Sequence, residues 1–323
     1  MTESAQSAWA KAFASIDVQR IFCWESEYAG NAVAFLQKER NEVNQVELNV
    51  LPMKSNGVVD LKALEDGLKS SSRSALIALT HVQTNSSIIQ PAAAVGGLAR
   101  KYNAIFLLDA CQSIGQLPVD LSSIGCDFAC ATGRKWLRGP RGTGLLYARK
   151  AILDDHRIKE PVMIDHVSAS WTASRSYELR SGARRFEMWE YSPALHAGLA
   201  AALDGCRNVG PEVIFERACR LADLLRERLR QIPGLRIADG SAEAPNRCAI
   251  VTFEASALGV SAEFIKDRLT QRRITSSVAP ASHTFNDQAW SGPPTLRLSP
   301  SYYNTEEEIE IAAQAVAEIL KRT

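Results

Sequence analysis

The sequence predicts an α/β fold, with a large domain on a mostly parallel sheet followed by a smaller α+β domain. Three observations lead there. Short apolar runs alternate with amphipathic stretches of helical period through the first half of the chain. Several of those runs are apolar at nearly every position, as strands covered on both faces must be. Past Tyr191 the alternation gives way to long helical patterns and then to scattered strands, so the domains are expected at 1–192 and 193–323.

In order, strands are expected over 20–24, 45–51, 75–79, 104–108, 128–131 and 144–148. Helices are expected between them over 3–15, 27–39, 61–69 and 92–102, with Asp60 as an N-cap and Pro91 in a first turn. The second region reads as helices over 193–207 and 211–231, stopped by Gly234. A strand over 248–253, a helix over 262–272, strands over 274–278 and 295–298 and a helix over 305–321 complete it. Residues 159–184, rich in serine and arginine, read as surface loop.

A formal net charge of +1 over 323 residues argues against bulk capture of nucleic acid or of an anionic membrane. No stretch has the length of a membrane span, and the N-terminus lacks the basic-then-apolar layout of a signal peptide. The seven cysteines are odd in number and unpatterned, which fits reduced thiols and a cytoplasmic protein. Cys126 and Cys130 have no second pair and no nearby histidine, so no metal is expected.

Two residues carry the chemistry. Asp109 closes the apolar run 105–108, and Lys135 follows the run 128–131 within Thr132-Gly133-Arg134-Lys135. In a parallel sheet, ligands bind beyond the carboxyl ends of the strands, where both residues fall. An amine nucleophile beside a carboxylate is what pyridoxal phosphate requires, the amine for its aldehyde and the acid for its pyridine nitrogen. The plain alternative is a solvated lysine by a turn and an aspartate capping the next helix. The turn at 139–144 lacks the Gly-Lys-Ser/Thr ending of a nucleotide-binding loop.

These segments, together with Thr2-Glu3-Ser4, Glu25-Ser26-Glu27-Tyr28, Thr80-His81-Val82, Asp109-Ala110-Cys111-Gln112, Arg185-Phe186-Glu187 and Arg297 followed by Tyr303-Asn304-Thr305, recur in one order. In that order and spacing the chain resembles the class V aminotransferase family of fold-type I pyridoxal-phosphate enzymes, which includes cysteine desulfurases. The resemblance implies that Lys135 is the lysine joined to the cofactor, Asp109 the partner of its ring nitrogen and Gln112 a donor to its phenolic oxygen. It places Tyr28 against the ring face, and Thr2, Thr132 and Arg134 at the phosphate, Thr2 by opening the first helix. Trp189 and Glu190 stand where relatives place a Gly-Thr pair that reaches the phosphate of the other subunit. Arg297 would hold the carboxylate of an amino-acid substrate, with a surface salt bridge as its alternative; Asn85 would contact that substrate or serve a hydrogen-bonded structural role; and the protein would be a homodimer.

Two departures narrow the expectation. Desulfurases place a nucleophilic cysteine shortly before the carboxylate arginine, whereas the corresponding loop 278–285 has Ser282 at the aligned position and no cysteine. Relatives also carry several dozen residues before the Thr-Glu motif, so the chain looks N-terminally short. Segments 170–172, 184–190 and 302–305 are similar to sulfoxide lyases and isopenicillin-epimerase-like proteins. A C–S (sulfoxide) β-lyase leads, with an aminotransferase, an epimerase or an inactive pyridoxal-phosphate-fold protein left open.

Overall fold

The strands of the first half are β1 (Arg20–Trp24), β2 (Glu47–Leu51), β3 (Ala75–Thr80), β4 (Ile105–Asp109), β5 (Phe128–Thr132) and β6 (Gly144–Ala148). They come from a computed structural model that describes residues 1–40, 46–240, 246–280, 284–286 and 292–321. They form one sheet in the order β2-β1-β3-β4-β5-β6, parallel except for β6, which runs antiparallel to β5. The loop 133–143 that joins that last pair holds no crossover helix, and a parallel return would need one.

Alternate residues of a strand face opposite sides, and here both sides are apolar. Ile21, Cys23, Ile105 and Leu107 pack with Trp9 and Phe13 of α1 (Ala5–Ser15) and Phe35 of α2 (Ala29–Glu39). Phe22, Trp24, Phe106 and Leu108 pack with Leu64 and Leu68 of α3 (Leu61–Lys69) and with Val95 and Ala99 of α4 (Ala92–Lys101). The continuous apolar runs are therefore strands sandwiched between two helical layers.

Side-chain caps set the starts of α1 and α3. Asp60 accepts from the Lys62 and Ala63 N–H groups at the head of α3, as expected. Pro91 occupies the N-cap position of α4 rather than its first turn. The first helix begins at Ala5 because Ser4 is extended and its hydroxyl accepts from Ser7 N–H. Thr2 does not open that helix. It lies buried in a bridge with Gly144, exchanging both backbone hydrogen bonds at 2.9 and 2.6 Å.

Between residues 159 and 184 the chain is not simply loop. β7 (Ala169–Ala173) and β8 (Ser176–Leu179) form an antiparallel hairpin with Trp171 opposite Tyr177. Its side chains are mostly exposed, so no apolar face announces it in the sequence.

The second region opens with α6 (Pro193–Val209) and α7 (Pro211–Arg230). It continues with β9 (Arg236–Ile237), β10 (Val251–Glu254), α8 (Ala262–Gln271), β11 (Ser277–Ala279), β12 (Thr295–Leu298) and α9 (Glu306–Lys321). The sheet order is β11-β12-β10-β9, all antiparallel, packed on the apolar faces of α7, α8 and α9. Residues 248–250, expected in a strand, turn toward the first sheet instead. Cys248 N–H donates to Ser87 O at 2.7 Å, and Ala249 N–H donates to Gln116 Oε1 at 2.8 Å. β11 starts late because Arg273 takes φ 62° and Ile274 N–H bonds back to Leu269 O to close α8. Among the described residues, no helix is long and apolar enough to cross a membrane.

Candidate active site

Thr80, Asp109 and Cys130 lie side by side near the carboxyl ends of three neighbouring parallel strands, Thr80 opposite Asp109 and Asp109 opposite Cys130. They form the floor of a cavity of about 130 Å³ whose walls include Lys135, Arg134, Thr132, Gln112, Tyr28 and the start of α1 at Ser4, Ala5 and Gln6. Lys135 is half-buried one turn beyond β5, in a loop closed by Gly139 N–H donating to Gly133 O at 2.7 Å. Gly133 is needed there, since a Cβ would come 2.2 Å from Thr143 Oγ1.

Asp109 is buried and its two oxygens are separately held. Oδ1 accepts from Cys111 N–H at 2.9 Å and Oδ2 from Asn31 Nδ2 at 3.0 Å. Trp136 Nε1 donates to Gln112 Oε1 at 3.0 Å, which leaves the amide nitrogen of Gln112 as its end for a ligand. Tyr28 begins α2, half-exposed at the cavity wall, and Gly30 makes room for its ring, where a Cβ would sit 2.8 Å from Cε1.

A second cavity of about 400 Å³ shares Tyr28, Thr80 and Thr84 with the first and holds Arg297, Asn85 and Ser277 in its wall. Arg297 sits on β12 and donates from Nη1 to Thr84 O at 3.0 Å. Burial, with the nearby charge of Arg134, lowers its pKa. Asn85 is exposed, and its carbonyl accepts from Thr252 Oγ1 at 3.1 Å. Lys135, Asp109, Gln112, Tyr28, Thr132 and Arg134 thus come together, with Arg297 and Asn85 in the adjoining space. Thr2 is not part of the cavity wall; its hydroxyl donates to Ser4 O at 2.9 Å. Trp189 stands apart, exposed against the His166 ring and lining a cleft with Met1 and Lys11. Ser282 lies outside the described residues.

Two acidic-site residues escaped the sequence reading. Asn31 lies on the buried face of α2 and Glu27 is buried just before that helix, and Asn31 Nδ2 donates to Glu27 Oε1 at 3.0 Å as well as to Asp109. Thr80 Oγ1 and Tyr28 N–H also donate to Glu27 Oε1. The available signal was an Asn flanked by Ala32 and Phe35 on the core side of a helix, where an unpaired amide is costly. His81 is buried with Nδ1 unpartnered, and burial lowers it to about 4. Cys111 and Cys130 also line the cavity. Their mutual hydrogen bond and burial push Cys130 well up, and Cys111 ends raised as burial and Asp109 outweigh that hydrogen bond. Both are therefore thiols rather than thiolates at neutral pH.

The donor set suits pyridoxal phosphate. A buried carboxylate fixed at both oxygens can face a ring nitrogen, Lys135 can reach an aldehyde, and Arg134 with the first-turn N–H groups of α1 can meet a phosphate.

Comparison with known proteins agrees. The model of the family described as aminotransferase class-V matches residues 4–311. The chain is 28% identical over 289 residues to a probable cysteine desulfurase of Methanothermobacter thermautotrophicus, covering 88% of this chain and 70% of that one. It is 31% identical over 303 residues to a probable cysteine desulfurase of Xylella fastidiosa, covering 91% and 68%. The fold is similar to that of apo cysteine desulfurase from Thermococcus onnurineus, with a TM-score of 0.87 at 21% identity over 100% of this chain and 79% of that one. It is also similar to the cystine C–S lyase C-DES in complex with its product cysteine persulfide, with a TM-score of 0.82 at 23% identity over 98% and 80%. The chain belongs to the class V aminotransferase family of pyridoxal-phosphate-dependent enzymes.

Proposed function

We propose that this enzyme is a C–S β-lyase acting on a cysteine conjugate whose sulfur is oxidised to the sulfoxide. The observation that carries the reading is the pairing of the Lys135–Asp109 cavity and Arg297 with a loop, 278–285, that contains no cysteine. Its relatives named cysteine desulfurase and the neighbour named a C–S lyase support chemistry at a carbon–sulfur bond. With Cys111 and Cys130 held as thiols at the ring floor, the sulfur must leave without a thiolate acceptor.

Bound pyridoxal phosphate supplies an electron sink for negative charge at the α-carbon of an amino acid. To hold it, Asp109 would face the ring nitrogen, Tyr28 would cover one ring face and the Gln112 amide nitrogen would meet the phenolic oxygen. Thr132, Arg134 and the α1 start take the phosphate. Thr2 acts on that site by fixing the start of α1 against Gly144, and Trp189 makes an altered contact to the phosphate of a partner subunit. Arg297 pairs with the substrate carboxylate, and Asn85 contacts the substrate side chain. Lys135 Nζ removes the α-proton. The Cβ–S bond then breaks with its electron pair going to sulfur, which departs as a sulfenate and takes up a proton. The remaining 2-aminoacrylate adds water and yields pyruvate and ammonia, so no external oxidant or reductant is needed.

Purified protein is expected to be yellow, to lose that colour on borohydride treatment with the label retained at Lys135, and to release pyruvate from a cysteine S-conjugate sulfoxide. A pyridoxamine product without pyruvate would replace the lyase reading with transamination. We also infer a homodimer, supported by the exposed Trp171, Tyr177, Trp189 and Tyr191. A sedimentation profile showing only monomer at full cofactor loading would overturn that state.

A further inference from the structure

We propose that Glu27 and Asn31 are positioning residues that hold Asp109 in place and set the charge it presents to the cofactor's ring nitrogen. The inference rests on the pyridoxal-phosphate reading above and adds two residues to it. An amide nitrogen has two hydrogens, and Asn31, 1% exposed, spends one on each carboxyl group, 3.0 Å to Glu27 Oε1 and 3.0 Å to Asp109 Oδ2. Three donors converge on Glu27 Oε1, from Thr80, Tyr28 and Asn31, which leaves Oε2 as the oxygen for a proton.

Two carboxylates bridged by one neutral amide and both removed from water cannot each carry an uncompensated charge. Asp109 opens onto the cavity where a cationic ring nitrogen compensates it, whereas Glu27 lies behind. The ionisable groups around Glu27 are Asp109 on β4, the thiols of Cys23 on β1 and Cys130 on β5, the Tyr28 phenol beside it and Lys135 across the cavity. Burial raises Glu27 to about 7 against the hydrogen bonds of Thr80 and Asn31, and the charge of Asp109 adds to the rise. Below that pH Glu27 is neutral. Above it Glu27 ionises behind Asp109, and its charge strengthens the hold on the ring proton as solution protons become scarce.

The test uses cofactor-loaded wild type, Glu27→Gln and Asn31→Ala, checked for equal far-UV circular dichroism. The pH midpoint at which the bound cofactor's absorption changes on the alkaline side is expected to fall by about one unit in Glu27→Gln, a tenfold loss of proton affinity. Asn31→Ala, which keeps Glu27 but cuts the bridge, is expected to weaken cofactor binding about tenfold, in line with the effect of residues that orient a ligating group. Should Glu27→Gln not fold, Asn31→Ala and the carboxyl 13C shift of Glu27 in the wild type still decide the matter. A Glu27 signal that stays ionised from pH 5 to 8, or variants matching wild type in both midpoint and affinity, overturns the proposal and leaves the cofactor reading standing. A wild type that takes up no pyridoxal phosphate overturns both.

Discussion

Arg226 and Asp239 form an ion pair with neither side chain reaching solvent, Nε donating to Oδ2 at 2.6 Å. Arg226 also donates from Nη2 to the carbonyls of Cys248 and Ile250, and the Asp239 carbonyl accepts from Ser87 N–H at 2.7 Å. The pair therefore stands at the seam between the two sheets, behind the loop that brings Thr84 and Asn85 to the substrate cavity. Asp239 also pairs with Arg247 and Arg226 with the exposed Asp223, so removing either leaves the other's buried charge short of its best-buried partner. Arg226→Met or Asp239→Ala is expected to cost about 3–5 kcal/mol in urea unfolding, and a loss below about 1 kcal/mol would refute the role given to the pair.

Glu27 and His81 bias stability in opposite directions with pH. The folded pKa of Glu27, about 7, lies above its unfolded value near 4.5, so its contribution is complete below 4.5 and lost as pH rises through 7. The folded pKa of His81, about 4, lies below its unfolded value near 6.5, so its contribution is complete above 6.5 and lost as pH falls through 4. Each term is on the order of 3 kcal/mol, and in the wild type they largely offset between pH 4.5 and 6.5. Unfolding of cofactor-free protein across that range is expected to show a rising slope in Glu27→Gln and a falling one in His81→Phe. Identical flat profiles in all three would exclude the assignment.

Arg297 carries its own check. Lysine at this position keeps the charge but loses the fork that meets a carboxylate through two parallel bonds. Arg297→Lys is expected to raise KM for the amino acid roughly 10- to 100-fold, the equivalent of about 1.5–3 kcal/mol, with cofactor affinity unchanged. Loss of cofactor binding instead would move Arg297 out of the substrate role.

Gly144 tests the link between the sheet and the start of α1. A Cβ there would lie 2.3 Å from the Ser4 carbonyl carbon and 2.5 Å from its oxygen. Gly144→Ala is expected to displace residues 2–4 and weaken cofactor binding by about tenfold, roughly 1.4 kcal/mol. Fluorescence titration that finds the affinity intact would show that the α1 start plays no part in the site.

The sequence made the first sheet legible because its strands are apolar on both faces, and it made Asp109 and Lys135 legible because the first ends such a run and the second closely follows one. The β7–β8 hairpin was hidden, since its mostly exposed strands, Ala169–Ala173 and Ser176–Leu179, carry no core-facing stripe. The start of α1 was misjudged because the competition between Thr2 and Ser4 for the cap is decided by Gly144, distant in sequence. Glu27 was visible as a letter but not as a buried acid. Only the juxtaposition of α2 with the ends of β3 and β4 gives it Asn31, Thr80 and Asp109 as neighbours.

Lys135 follows a strand of the first sheet, while Arg297 belongs to the second. In the proposed assignment the cofactor lysine and the carboxylate-binding arginine thus stand on separate sheets, which meet at the Arg226–Asp239 seam and the Gln116–Ala249 contact. The gap between the sheets would then act as a gauge. An amino acid, whose carboxylate is one bond from the α-carbon, would span a single setting of it, so the proposed substrate would be selected for chain length by the spacing of the two sheets as well as by the side chains that line the cavity.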